Sequence, residues 1–243
     1  MNSIKINYLK HALAMLFCML LMQPVELRAA YENIEFSSLT NHDGLSNSQV
    51  SAILKDARGY IWFGTQSGLN RFDGFRMKTF LYSNTNDKSL PNNSVDELQQ
   101  DYNGDIWIHT SSGYCIYKYD LEQFDRKPEE WLKTIDVMGP PYKLLIDKAK
   151  NMWFAVYGQG LYFHNARTKS TYLFKFTKKP QPGCLKEGNF SHLLEVNGDV
   201  VITYSDGTLC RVNGEKQQVL WYNSYLAGHK ITGDNGAYTF FDG

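Results

Sequence analysis

Asp101, Asn103 and Asp105 alternate in "DYNGDIWIHTSS" (101–112), the spacing with which a calcium loop begins. Such a loop needs glycine at its sixth place and a bidentate glutamate at its twelfth, and here those places hold Ile106 and Ser112. The stretch therefore reads as a hairpin. His109 stands two residues after Trp107, where the corresponding stretches carry Gly64, Ala155 and Thr203. A polar ring at a small-residue position beside a turn either fills space or contacts a ligand. Trp131 lies in the polar stretch "DRKPEEWLKTIDVMGPP" (125–141) with Arg126, Lys127 and Glu130 around it. An aromatic face beside charges can stack on a sugar or dock a partner domain, and it can equally cap a core. Tyr157 opens the turn "YGQG" and is the fourth candidate contact, after His109, Arg126 and Trp131.

Covalent and metal chemistry find no constellation. The chain has no Ser-His-Asp order, no HExxH and no G-x-S-x-G elbow. Asp56, Asp101 and Asp147 recur at equivalent turns, so they read as structural. Neither a catalytic residue nor a metal nor a cofactor is expected.

The elements that would position these side chains come in copies. Trp62, Trp107 and Trp153 are 45 and 46 residues apart, and the same order surrounds each one. An alternating strand ("QVSAILKD", "SVDELQQD", "PYKLLIDK") and a turn precede the strand that carries the tryptophan. A small-residue turn, a third strand and an apolar or aromatic fourth stretch follow. A copy at 191–220 keeps this frame with Val201 in place of tryptophan, and 230–243 begins another. Four short strands repeated every ~40–50 residues are the signature of a β-propeller, each repeat one blade. Asn-Gly at 103–104, 197–198 and 213–214 and Asp-Gly at 73–74 offer the positive φ that tight hairpins need, and Asn151 is expected to substitute for glycine in the third copy. Blades pack face to face, so Trp62, Trp107 and Trp153 are expected to be structural core rather than a binding platform.

The predicted fold is thus all-β, an incomplete propeller of about four and a half four-stranded blades. The blades are placed at about 44–82, 89–126, 141–176 and 190–222, with a fifth starting at 229–243. Residues 31–39 alternate and are assigned as the outer strand of a closing blade. Ahead of them, Lys5 and Lys10, the apolar run "ALAMLFCMLLM" (12–22) and Ala29-Ala30 read as a signal peptide, residues 1–29, which directs the rest outside the cytoplasm. Without Cys18 the chain keeps Cys115, Cys184 and Cys210, an odd number with no metal-ligand spacing. Basic and acidic residues number 25 each, so no electrostatic pull toward nucleic acid is expected.

"GLSNSQVSAILKDARGYIWFGTQSGLNRFDG" (44–74) resembles the two-component-regulator propeller repeat almost residue for residue. The second copy follows it well; the third and fourth depart from it at Asn151 and Val201. The resemblance implies the periplasmic sensor region of a hybrid two-component histidine kinase of the kind known from gut Bacteroidetes. It further implies a seven-bladed ring, downstream signalling domains, inner-membrane anchoring and a homodimer in the full-length form. On that reading this stretch binds a glycan-derived oligosaccharide and does not itself phosphorylate. The alternative is a secreted propeller enzyme, a polysaccharide lyase or glycoside hydrolase with its catalytic blades beyond residue 243.

Overall fold

Alternating apolar positions and frequent turns give, among the described residues, sixteen of seventeen short strands a place in four antiparallel sheets. The computed structural model describes residues 38–178 and 184–223. The first sheet is β1 (Val50–Lys55), β2 (Ile61–Thr65), β3 (Gly68–Phe72) and β4 (Met77–Phe80), paired in sequence order. The second is β5 (Val95–Gln100), β6 (Ile106–Thr110), β7 (Gly113–Lys118) and β8 (Gln123–Asp125). The third comprises β9 (Pro141–Ile146), β10 (Met152–Val156), β11 (Gly160–His164) and β12 (Thr171–Thr177), and β13 (Leu185–Lys186) adds to its outer edge in parallel. The fourth is β14 (Phe190–Val196), β15 (Asp199–Tyr204), β16 (Leu209–Asn213) and β17 (Gln218–Asn223). Four consecutive four-stranded meanders of this kind are the blades of an incomplete propeller.

Three apolar clusters hold the blades together, one per junction. Trp62 and Leu69 of the first blade pack on Leu98, Ile106, Ile108 and Tyr117 of the second. Trp107 and Ile116 meet Leu144, Met152 and Phe154 of the third, and Trp153 and Phe163 meet Leu193, Val200 and Ile202 of the fourth. Burial on both faces explains why β10 and β11 are buried at every residue, whereas the outer strand β17 has none buried. The three tryptophans are the inside of the fold, at most 1% exposed.

A buried carboxylate fixes each tryptophan. Asp101 Oδ1 accepts the backbone N–H groups of Asn103 (2.8 Å) and Asp105 (3.1 Å), and its Oδ2 accepts Trp107 Nε1–H at 3.0 Å. Asp56 and Trp62 (2.6 Å) and Asp147 and Trp153 (3.1 Å) repeat the bond six residues apart. Burial raises the Asp101 carboxyl above its ordinary range, against the bond from Trp107 that lowers it. The aspartate thus closes the turn and orients the indole at once. In the fourth blade both partners are gone, and the turn contracts to Asn197-Gly198, with φ of 52° and 80°, the two-residue hairpin that this pair favours.

Two turns differ from expectation. Lys150, not Asn151, takes the positive φ, 66°, at the place of Gly59 and Gly104. Asn151 instead folds inward, its Nδ2 donating to Asp147 Oδ2 and its Oδ1 accepting Ala166 N–H. At 213–214 the glycine is not among the positive-φ residues and Gln217 takes the positive φ, 53°; Gly214 lies against the Phe163 ring, where an added Cβ would come within 2.5 Å. The long crossing after β8 holds a helix, α1 (Pro128–Thr134), with proline in its first turn, Glu129 and Glu130 beside it and Lys133 in the last. The expected signal peptide (1–29), the fifth blade (229–243) and residues 31–37 of the closing strand lie outside the described residues; Ser38 and Leu39 are not in a strand.

Candidate functional site

The turns joining second to third strands form one rim of the propeller, together with the ends of the crossings between blades. Polar side chains link up along it. Asn47 Nδ2 donates to Ser67 Oγ at 3.0 Å, and the same pair recurs one copy later as Asn92 Nδ2 to Ser112 Oγ at 3.2 Å. Ser94 Oγ bridges the two blades by donating to Gln66 Oε1 at 2.7 Å. In the third copy the rim turns aromatic. Tyr157 is 61% exposed and stacks on Tyr142, with ring centroids 4.1 Å apart and an interplanar angle of 20°. Tyr142 is itself anchored, its hydroxyl accepting Phe190 N–H at 3.1 Å.

Below the rim, the inner strands β1, β5, β9 and β14 line an open central groove of about 340 Å³. Asp96, Glu97 and Lys143 give it charge, His192 adds an imidazole, and Ile53 and Leu145 supply apolar wall. Lys143 Nζ is 3.7 Å from Glu97 Oε1, so part of that charge is internally paired. These groove residues escaped the sequence reading because each looks like the ordinary polar member of an alternating strand.

The four sequence candidates separate. Tyr157 stands on the rim as an open aromatic face. His109 pairs across the ladder with Tyr114, ring centroids 4.6 Å apart, and its Nδ1 is buried without a hydrogen-bond partner, 3.8 Å from Asp96 Oδ2. Arg126 is occupied: its guanidinium donates to the carbonyls of Ser83, Ser89 and Leu90 and to Ser89 Oγ, clamping the first crossing. Trp131, on α1, packs edge-on against Trp107 with centroids 5.5 Å apart and joins the cluster between the second and third blades. Trp131 therefore caps the core, and the structure does not bring it together with Tyr157 into one surface contact set.

Among the described residues no group of three or more His, Cys, Asp or Glu is placed to hold a metal ion. Cys115 and Cys210 are buried free thiols whose pKa burial raises, that of Cys210 to about 12, so they behave as small apolar side chains. Among the described residues no helix is long and apolar enough to cross a membrane.

Rim, groove and stacked blades define an incomplete β-propeller. Residues 44–67 and 89–112 match the family model described as two component regulator propeller, so the chain carries repeats of that family in its first two blades. A stretch of 56 residues is 45% identical to Histidine kinase P4 of Formosa agariphila, covering 23% of this chain and 4% of that protein. The structure is similar to the extracellular domain assigned to a hybrid two component system of B. thetaiotaomicron, with a TM-score of 0.54 and 24% identity over 75% of this chain. A second such domain from B. thetaiotaomicron gives a TM-score of 0.50 at 18% identity over 80% of this chain. These two likenesses concern the fold. The chain spans 26% and 27% of those solved chains, about a quarter of their length.

Proposed function

We propose that the chain is the ligand-sensing propeller segment of a two-component signalling protein, working on the outer side of the cytoplasmic membrane. The observation that carries this reading is the pair of family repeats in the first two blades, reinforced by the stretch shared with a histidine kinase. The ligand class we assign is an oligosaccharide derived from a glycan. Tyr157 offers a sugar ring a flat face already held rigid by Tyr142, and the amides and hydroxyls of Asn47, Gln66, Asn92 and Ser112 line the same rim. An anchored aromatic on a rim that also carries amides and hydroxyls suits a ligand that is apolar on one face and hydroxylated at its edges. The segment acts by binding, without bond cleavage.

Thermal shift of the purified chain against a panel of oligosaccharides from enzymatically cleaved plant and host polysaccharides tests this. The expected result is a rise in Tm with a subset of the panel that Tyr157→Ala abolishes while leaving the unliganded Tm unchanged. Silence across the panel removes the oligosaccharide assignment. Appearance of new reducing ends or unsaturated products would make the chain an enzyme instead.

A further inference from the structure

Each inner strand skips one residue in its pairing at the rim end. Val50 pairs with Thr65 and Ala52 with Gly64, which leaves out Ser51; the same step leaves out Asp96 on β5, Tyr142 on β9 and Ser191 on β14. A bulge of this kind re-aims the side chain of the skipped residue. Two of these side chains tie their blade to the next one. Ser51 Oγ donates to Val95 O, and the Tyr142 hydroxyl accepts Phe190 N–H at 3.1 Å. Asp96 cannot do likewise. Its carboxylate only accepts, and β9 opens at Pro141 after Pro140, neither of which offers an N–H. The Asp96 side chain is left 41% exposed on the groove and makes no hydrogen bond among the described residues. His109 Nδ1, buried and unpartnered, stands 3.8 Å from its Oδ2, beyond hydrogen-bond reach.

Other polar groups of the groove wall are already engaged. Gln99 Nε2 donates to Leu144 O at 2.9 Å, and its Oε1 accepts Ile146 N–H at 2.6 Å. Glu97 accepts the Tyr114 hydroxyl at 3.2 Å on one oxygen and has Lys143 Nζ 3.7 Å from the other. Glu97 and Lys143 thus answer each other, and Asp96 carries the negative charge left over among the carboxylates and ammonium that line the groove. We propose that the groove is a binding site for a primary ammonium group, seated on Asp96 with its carbon body against Ile53 and Leu145. The occupant must donate to Asp96; a cationic donor also cancels the surplus charge, whereas an anion is repelled. His109 crowds Oδ2, so a planar guanidinium gripping both oxygens is hindered where a compact ammonium needs only one. An amino sugar and a simple alkyl amine carry the same group. The site is separate from the Tyr157 rim and does not depend on a sugar binding there.

Titration of the 243-residue chain with glucosamine and with n-butylammonium, in phosphate buffer at low salt and followed by the amide NMR signals of the groove strands, tests this. Both ammonium probes should bind, and glucose should not. Asp96→Asn, which costs the fold no hydrogen bond, should weaken both about tenfold or more, as loss of a charged partner does. Lys143→Met should tighten both by about twofold to threefold, because it removes the competing positive charge. Asp87→Asn, which removes an exposed carboxylate of the first crossing, should leave the affinities unchanged, and so should Tyr157→Ala. Tighter binding of glucosamine supports the proposal with an amino sugar as the source, and tighter binding of butylammonium supports it with a simple amine. If Asp96→Asn does not fold, the direction of the Lys143→Met effect decides. Silence of both ammonium probes overturns the proposal, as does full affinity in Asp96→Asn or glucose binding as well as glucosamine. Loss of binding in Tyr157→Ala overturns it too, since the ligand then sits on the rim.

Discussion

Asp101 is held out of water by what it accepts: two turn amides on one oxygen and the Trp107 indole on the other. Removing either partner has a distinct cost. Trp107→Ala should destabilise by roughly 3–5 kcal/mol in urea unfolding, the range for deleting a large buried aromatic. Asp101→Ala should cost about 1–3 kcal/mol, because the three donors lose their acceptor inside the fold. Trp131→Ala should fall below about 3 kcal/mol, since Trp131 only covers one edge of the Trp107 ring and is itself partly exposed. A loss equal to that of Trp107→Ala would show that α1 is as central as the strands. His164 adds a pH-dependent term. Thr171 Oγ1 donates to Ile135 O at 2.6 Å, so it receives Nδ1–H of the neutral imidazole at 2.9 Å, and Tyr102 hydroxyl faces Nε2 at 3.3 Å. Burial, and secondarily the Lys169 ammonium, lower its pKa from the ordinary 6.5. The unfolded chain therefore takes up the proton first as pH falls, so the stabilising term is present above about pH 6.5 and is lost on acidification through the window below it. The Tm difference between the parent chain and His164→Gln should shrink as pH drops from about 7.5 to about 5. A constant difference would mean that His164 acts through packing alone.

Elements in this chain are spaced by how closely their backbones must approach. Gly64 on β2 faces β5 so tightly that a Cβ would stand 2.7 Å from Val95 Cγ1 and 3.3 Å from Ala52 Cβ. Gly64→Ala should therefore destabilise by about 1–3 kcal/mol, the range for overpacking, and chemical denaturation measures it. A neutral outcome would require the first two blades to part without cost. Ala155 and Thr203 fill the same place at other blades, and His109 at the second, so the contact is particular to the first junction. Such differences mark where the sequence was legible. Period-two alternation and the recurrent tryptophan located the strands, because both depend on burial that every blade repeats. Lys150 was not legible as the positive-φ residue, since residue type ranked Asn151 above it and only the hydrogen bonds of Asp147 set the frame. Arg126 looked free because its acceptors lie 36 to 43 residues earlier, across a crossing that local sequence does not reveal. For the same reason Tyr157 could be singled out as an aromatic in a turn, whereas its support by Tyr142 became visible only through the topology.

For the molecule as a whole, the consequence of stacked blades is that cooperation passes only between neighbours. Trp62 touches Tyr117 across the first junction with ring centroids 5.1 Å apart, and Trp153 belongs to a different cluster two blades away. Stability in such an array is approximately a sum of blade and junction contributions. The double substitution Trp62→Phe with Tyr117→Leu should consequently depart from additivity by about 0.5–3 kcal/mol, as residues in contact do. Trp62→Phe with Trp153→Phe should add within about 0.5 kcal/mol, as separated sites with no shared partner do. Urea unfolding of the two cycles, followed by tryptophan fluorescence and by circular dichroism, distinguishes local junctions from a single merged core. Strong coupling between Trp62 and Trp153 would mean that strain crosses the intervening blade, and the nearest-neighbour account of this propeller would then fail.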